Sequence, residues 1–118
     1  MVALAAPAAA AAGEAPSPAA ECAALWYGRD DYAKRSAYLD ADPGGVELAR
    51  AFRDAAVRLN GGDAAPVDAF IARERRYWAL LTESYVYAGD PDSRKLYHDQ
   101  LDRCDAVAAA QPETRALR

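Results

Sequence analysis

Two cysteines, one histidine, a misplaced glutamate and a short basic–aromatic run are the residues whose types and spacing could do chemistry. Cys22 and Cys104 are the only thiols, so the chemistry open to them is oxidation to a single disulfide. His98 is the only histidine. With Asp99 beside it and Asp102 one helical turn on, it has part of a general base paired to a carboxylate. No nucleophile elbow or Gly-rich turn accompanies it, and the plainer reading is a solvent-facing histidine.

A single histidine excludes much metal chemistry. A di-iron bundle needs two Glu-x-x-His pairs, and a cysteine/histidine zinc site needs more ligands at suitable spacing. Covalent haem needs Cys-x-x-Cys-His. Haem ligated by His and Met needs an internal methionine, and Met1 is the only one. No cofactor and no metal are expected.

Glu74 falls on an apolar stripe between Ile71 and Trp78. A carboxylate there needs a partner, a proton or water. Arg29 lies on a facing stripe, one turn from Trp26 and Tyr32, and Arg53 borders another. The expectation is an ion pair of Glu74 with Arg29 or Arg53 in or at the edge of the core, setting registry rather than catalysing. The alternative is a glutamate turned out to the rim.

Arg73, Arg75 and Arg76 precede Tyr77-Trp78, a pattern that can hold phosphates or single strands. A net charge of −4 and the acids Glu74 and Glu83 on the same segment argue against nucleic acid. The arginines read as a solvated face paired to Asp30, Asp31 or other acids.

Four helices must position these residues. The first starts at Ser17-Pro18, a cap followed by proline at the first helical position, and runs to about Leu39. The second spans about Val46 to Leu59, with Val46, Ala49, Phe52, Ala56 and Leu59 at helical spacing. The third spans Pro66 to about Ala88, and its second half, Tyr77 to Tyr87, is apolar nearly all round. Such a segment is buried on several sides or lends a face to a partner. The fourth starts at Asp90-Pro91 and stops at Pro112. Strand signals are weak.

Short connections make neighbouring helices antiparallel. The expected fold is therefore all-α, an antiparallel, up-down-up-down four-helix bundle. Both cysteines sit on apolar stripes, one near the start of the first helix and one near the end of the last. Those places share one end of such a bundle, so a disulfide stapling helix 1 to helix 4 is expected, stabilising by about 4 kcal/mol in the chain-entropy model. Roughly a quarter of the chain is alanine, which buries little area per residue, so that staple weighs heavily.

The chain of 118 residues divides into a signal-peptide-like or disordered Ala/Pro-rich segment (1–17), one helical domain (18–111) and a flexible tail (112–118). Val2 to Ala12 is an apolar run, and Ala10-Ala11-Ala12 fits an A-x-A cleavage site. The positive segment that opens a signal peptide is missing, since the first basic residue is Arg29. Either the true start lies upstream of Met1 or the resemblance is accidental. Two core-placed cysteines in a short chain favour an oxidising compartment, so a periplasmic or secreted location is expected. No run is long and apolar enough to span a membrane.

Tyr27, Tyr38, Tyr77, Tyr85, Tyr87 and Tyr97 cannot all face one core. Tyrosine and tryptophan are enriched where one side is apolar and the other wet, interfaces included. Tyr77, Trp78, Tyr85 and Tyr87 are the expected surface for a protein partner or a second copy. The function expected is a small exported interaction module without catalytic activity. The alternatives are an intracellular helical adaptor with reduced cysteines, and a small enzyme using carboxylates or His98 in an interhelical cleft.

Overall fold

Aspartate and proline punctuate the chain. The structure, a computed structural model, describes residues 16–117, all-helical and without strands. The elements are α1 Pro18–Ala33, α2 Pro43–Leu59, α3 Ala64–Val86, α4 Pro91–Ala110 and a short α5, Pro112–Arg115. Asp42, Asp63 and Asp90 each cap the helix that follows, accepting from the amides of Gly45, Ala65 and Ser93 respectively. These bonds satisfy amide groups with no partner inside the helix. Ser17 takes the capping position of α1, yet its hydroxyl makes no cap bond and is buried without a partner.

Helix order fixes two core layers. The first joins Ala19, Cys22 and Ala23 of α1 to Phe52, Ala55 and Ala56 of α2, Val67, Phe70 and Ile71 of α3, and Cys104 and Ala108 of α4. It therefore brings the starts of α1 and α3 to the ends of α2 and α4, which is the antiparallel arrangement. The second layer, at the other end, holds Ala24, Leu25, Trp78, Leu81 and Tyr97. α1 is the central helix and touches α2, α3 and α4. Its small residues let it serve that role: Ala19, Ala20, Ala23 and Ala24 are wholly buried.

Gly28 marks the closest approach of α1 to α3. A β-carbon there would lie 2.6 Å from both the Arg75 carbonyl oxygen and Trp78 Cβ. Cys22 and Cys104 form the staple between α1 and α4, with Cα atoms 5.6 Å apart and a sequence separation of 82.

α2 starts at Pro43 rather than Val46 and α3 at Ala64 rather than Pro66, and two differences from the sequence reading are larger. α1 stops at Ala33 rather than near Leu39. The Ser36 hydroxyl accepts the Tyr38 amide at 3.0 Å, a local bond that competes with helix, and Asp42 must be extended before Pro43. The C-terminus is no loose tail: Pro112–Arg115 form α5, and Thr114 is fully buried with its hydroxyl donating to the Ala108 carbonyl at 2.8 Å. Arg58 of α2 holds this turn through Glu113, Nε to Oε2, at 2.7 Å. The signal-like segment lies outside the described residues except for its last two. No helix among the described residues is long and apolar enough to cross a membrane.

Candidate functional site

α3 carries the expected surface, and its two faces divide the residues that sequence grouped together. Trp78 turns inward. It is only 8% exposed and belongs to the core layer with Leu25, Leu81 and Tyr97, so it is not available to a partner. Tyr85 is half-buried; its ring lies 5.4 Å from that of Tyr97, and its hydroxyl is 3.3 Å from His98 Nε2. Tyr77 and Tyr87 turn outward, 48% and 65% exposed.

Two residues that the sequence reading left out join them. Leu80 is 63% exposed and falls between Tyr77 and Tyr87 on the same stripe of α3. Tyr38, in the α1–α2 loop, is 67% exposed and lies with its ring 5.3 Å from that of Tyr87. Leu80 was legible, three residues after Tyr77 and seven before Tyr87, which is one helix face. Tyr38 was not, because placing it in the first helix aimed it elsewhere.

Two shallow clefts adjoin this face. One, of about 200 Å³, is lined by Tyr32, Arg35, Tyr38, Glu83 and Tyr87. The other, of about 410 Å³, runs beside Leu80 and is lined by Asp31, Arg35, Arg76 and Ala79. Arg35 reaches Glu83 at a long 3.5 Å and lies over the Tyr32 ring. Arg76 enters no ion pair among the described residues.

The expected ion pair of Glu74 with Arg29 does not form, nor does one with Arg53. Glu74 is partly exposed and lies 3.6 Å from its neighbour Arg73. Arg29 lies over the Trp26 ring at 6.0 Å. Arg53 chelates Asp68 through two bonds of 2.9 Å, and that bond holds the Asp68 carboxyl below its usual range. One residue of rotation accounts for the correction. Position 75, not 74, faces α1, so Arg75 forms the interhelical pair, gripping Asp31 with bonds of 2.8 and 2.9 Å. The guanidinium also covers the Tyr27 ring at 4.6 Å. Asp31 is an acid that the sequence assigned to the arginine run.

His98 is solvent-facing and has an edge of its ring against Tyr85 and Tyr97. Tyr97 is buried, and burial raises its hydroxyl above the usual tyrosine range. Among the described residues, no group of three or more His, Cys, Asp or Glu side chains is placed to hold a metal ion. The best-developed feature is thus a surface: an apolar and aromatic strip on α3 with the Tyr38 loop folded against its end. Comparison with protein-family models, with curated proteins and with solved structures finds no match.

Proposed function

We propose that this chain is a small exported helical module that acts by binding another protein through the outer face of α3, with no chemistry of its own. The observation that carries the reading is the clustering of Tyr38, Tyr77, Leu80 and Tyr87, each about half exposed or more, on one face. Large apolar side chains grouped on a surface mark interaction sites, whereas single ones need no explanation. The composition also fits. Interface centres are rich in tyrosine and arginine and poor in lysine, and this strip holds three tyrosines flanked by Arg35, Arg73 and Arg76.

The staple supports the compartment. Disulfides persist in oxidising surroundings and are rare in the cytosol, so the Cys22–Cys104 bond supports a periplasmic or secreted location. It also supports the mechanism, because it fixes α4 to α1 and leaves α3 a rigid platform with little ordering to lose on binding.

The test is a photo-crosslinking side chain installed in place of Leu80 in the native cells, with a second installed in place of Leu96 as a control. The expected result is one defined adduct at position 80, none at position 96, and export shown by an oxidised intact mass. A chain with free thiols in its own cells, or no adduct at position 80, overturns the reading.

A further inference from the structure

The two clefts at the α3 strip carry an unbalanced charge. Arg35 lines both of them. Asp31 lines the larger cleft, but both of its oxygens accept from Arg75, at 2.8 and 2.9 Å. That pair is neutral and closed. Glu83 lines the smaller cleft and touches Arg35 only at 3.5 Å, with both side chains about half exposed. Arg76 lines the larger cleft and enters no ion pair among the described residues. The clefts and their ion pairs thus set Arg35, Arg75 and Arg76 against Asp31 and Glu83. The surplus cation is Arg76, on a chain whose net charge is −4.

This cation adjoins apolar surface. Ala79 and Leu80 share its cleft, and exposed Tyr77 follows it in sequence. A partner that covers Leu80 therefore takes Arg76 and Arg35 out of water as well. A wholly apolar partner would bury a guanidinium without a counter-charge, which is strongly unfavourable. A basic partner would add to the surplus. A phosphate brings more negative charge than one cation balances, beside Asp31 and Glu83. A carboxylate brings a single charge, and its two oxygens match the fork of a guanidinium. Arg35, loosely held by Glu83, is the second guanidinium lining that cleft.

We infer that the occupant of this face is an acidic and apolar segment of another protein, one Asp or Glu seated on Arg76 and Arg35 with large apolar neighbours covering Leu80 and the tyrosines. This inference rests on the proposed binding role of the face, and the experiment separates the two. A phage library of random, unmodified peptides is panned against the oxidised protein, and the enriched peptides are synthesised and titrated. The expected peptides hold Asp or Glu beside Leu, Phe or Trp. Arg76→Glu should weaken their binding more than about tenfold and leave the helical circular dichroism unchanged. Arg94→Glu, the same charge change on an exposed position of α4, should leave binding nearly unchanged. A peptide whose acid is replaced by lysine should prefer the Arg76→Glu chain to the parent. In the native cells, adding Arg76→Glu should abolish the adduct at position 80.

Enriched peptides without an acid, binding indifferent to Arg76→Glu, or a library that enriches nothing overturns the acidic partner. So does an adduct at position 80 that survives Arg76→Glu, which leaves the face binding a protein of other chemistry. No adduct at position 80 in the parent chain overturns both.

Discussion

Gly28 of α1 lies so near Trp78 of α3 that a β-carbon on the glycine would meet Trp78 Cβ and the Arg75 carbonyl oxygen at 2.6 Å. Helix propensity and packing therefore oppose each other here. Gly28→Ala gains about 1 kcal/mol of propensity, but one obstacle is backbone and cannot swing away. Overpacking a tight core costs about 1–3 kcal/mol. The expected outcome is net destabilisation, read as a lower urea midpoint at unchanged slope. A raised midpoint would mean that α1 and α3 are not in close contact at this position.

The Cys22–Cys104 bond closes a loop of 82 residues between the central helix and a fourth helix whose own core contribution is small. Tyr97, Gln100, Cys104 and Ala108 are its buried residues. Cys22→Ala with Cys104→Ala should lower the unfolding free energy by about 4 kcal/mol, a large share of the 5–15 kcal/mol typical of a domain. Denaturant unfolding with and without reductant measures this. A loss below about 1 kcal/mol would show that packing alone holds α4.

The helices and the staple could be read from sequence because their signals are local: Asp-Pro and Asn-Gly-Gly punctuation, and cysteines in phase with apolar stripes. What could not be read was set by rotation and by loop geometry. Glu74 and Arg75 are adjacent, so an error of one residue in phase, about 100° on a helix, exchanges the residue that faces α1. Tyr77 and Trp78, both expected on the partner surface, are likewise separated by that one step, Trp78 in the core and Tyr77 on the surface. The end of α1 depended on the Ser36–Tyr38 bond, and the docking of α5 on Arg58, a residue distant in sequence. Neither leaves a periodic trace.

Arg75 and Asp31 should show coupling that Glu74 lacks. Both side chains are about one-third exposed, so solvent screens them, and a double-mutant cycle of Arg75→Met with Asp31→Asn should give about 0.5–1 kcal/mol. The coupling should shrink in high salt. Glu74→Gln should change stability by less than about 0.5 kcal/mol. A larger loss for Glu74→Gln than for Arg75→Met would reverse the assignment of the interhelical pair.

The α5 clasp should release in acid. The hydrogen bond from Arg58 holds the Glu113 carboxyl below its ordinary value of 4.5. A carboxyl with a lowered value in the folded state stabilises fully above its unfolded value and loses that stabilisation as pH falls through the folded one. Thus α5 should stay docked above about pH 5 and loosen as the pH is taken below about 4. Local opening is visible as loss of amide protection, and the reporter is the Leu117 amide, bonded to the Thr114 carbonyl at 2.9 Å. In Glu113→Gln the protection should be weaker at neutral pH and nearly flat with pH over that window. Protection of Leu117 in the parent chain that does not change on acidification would show that burial of Thr114, not the Arg58–Glu113 pair, holds the last turn in place.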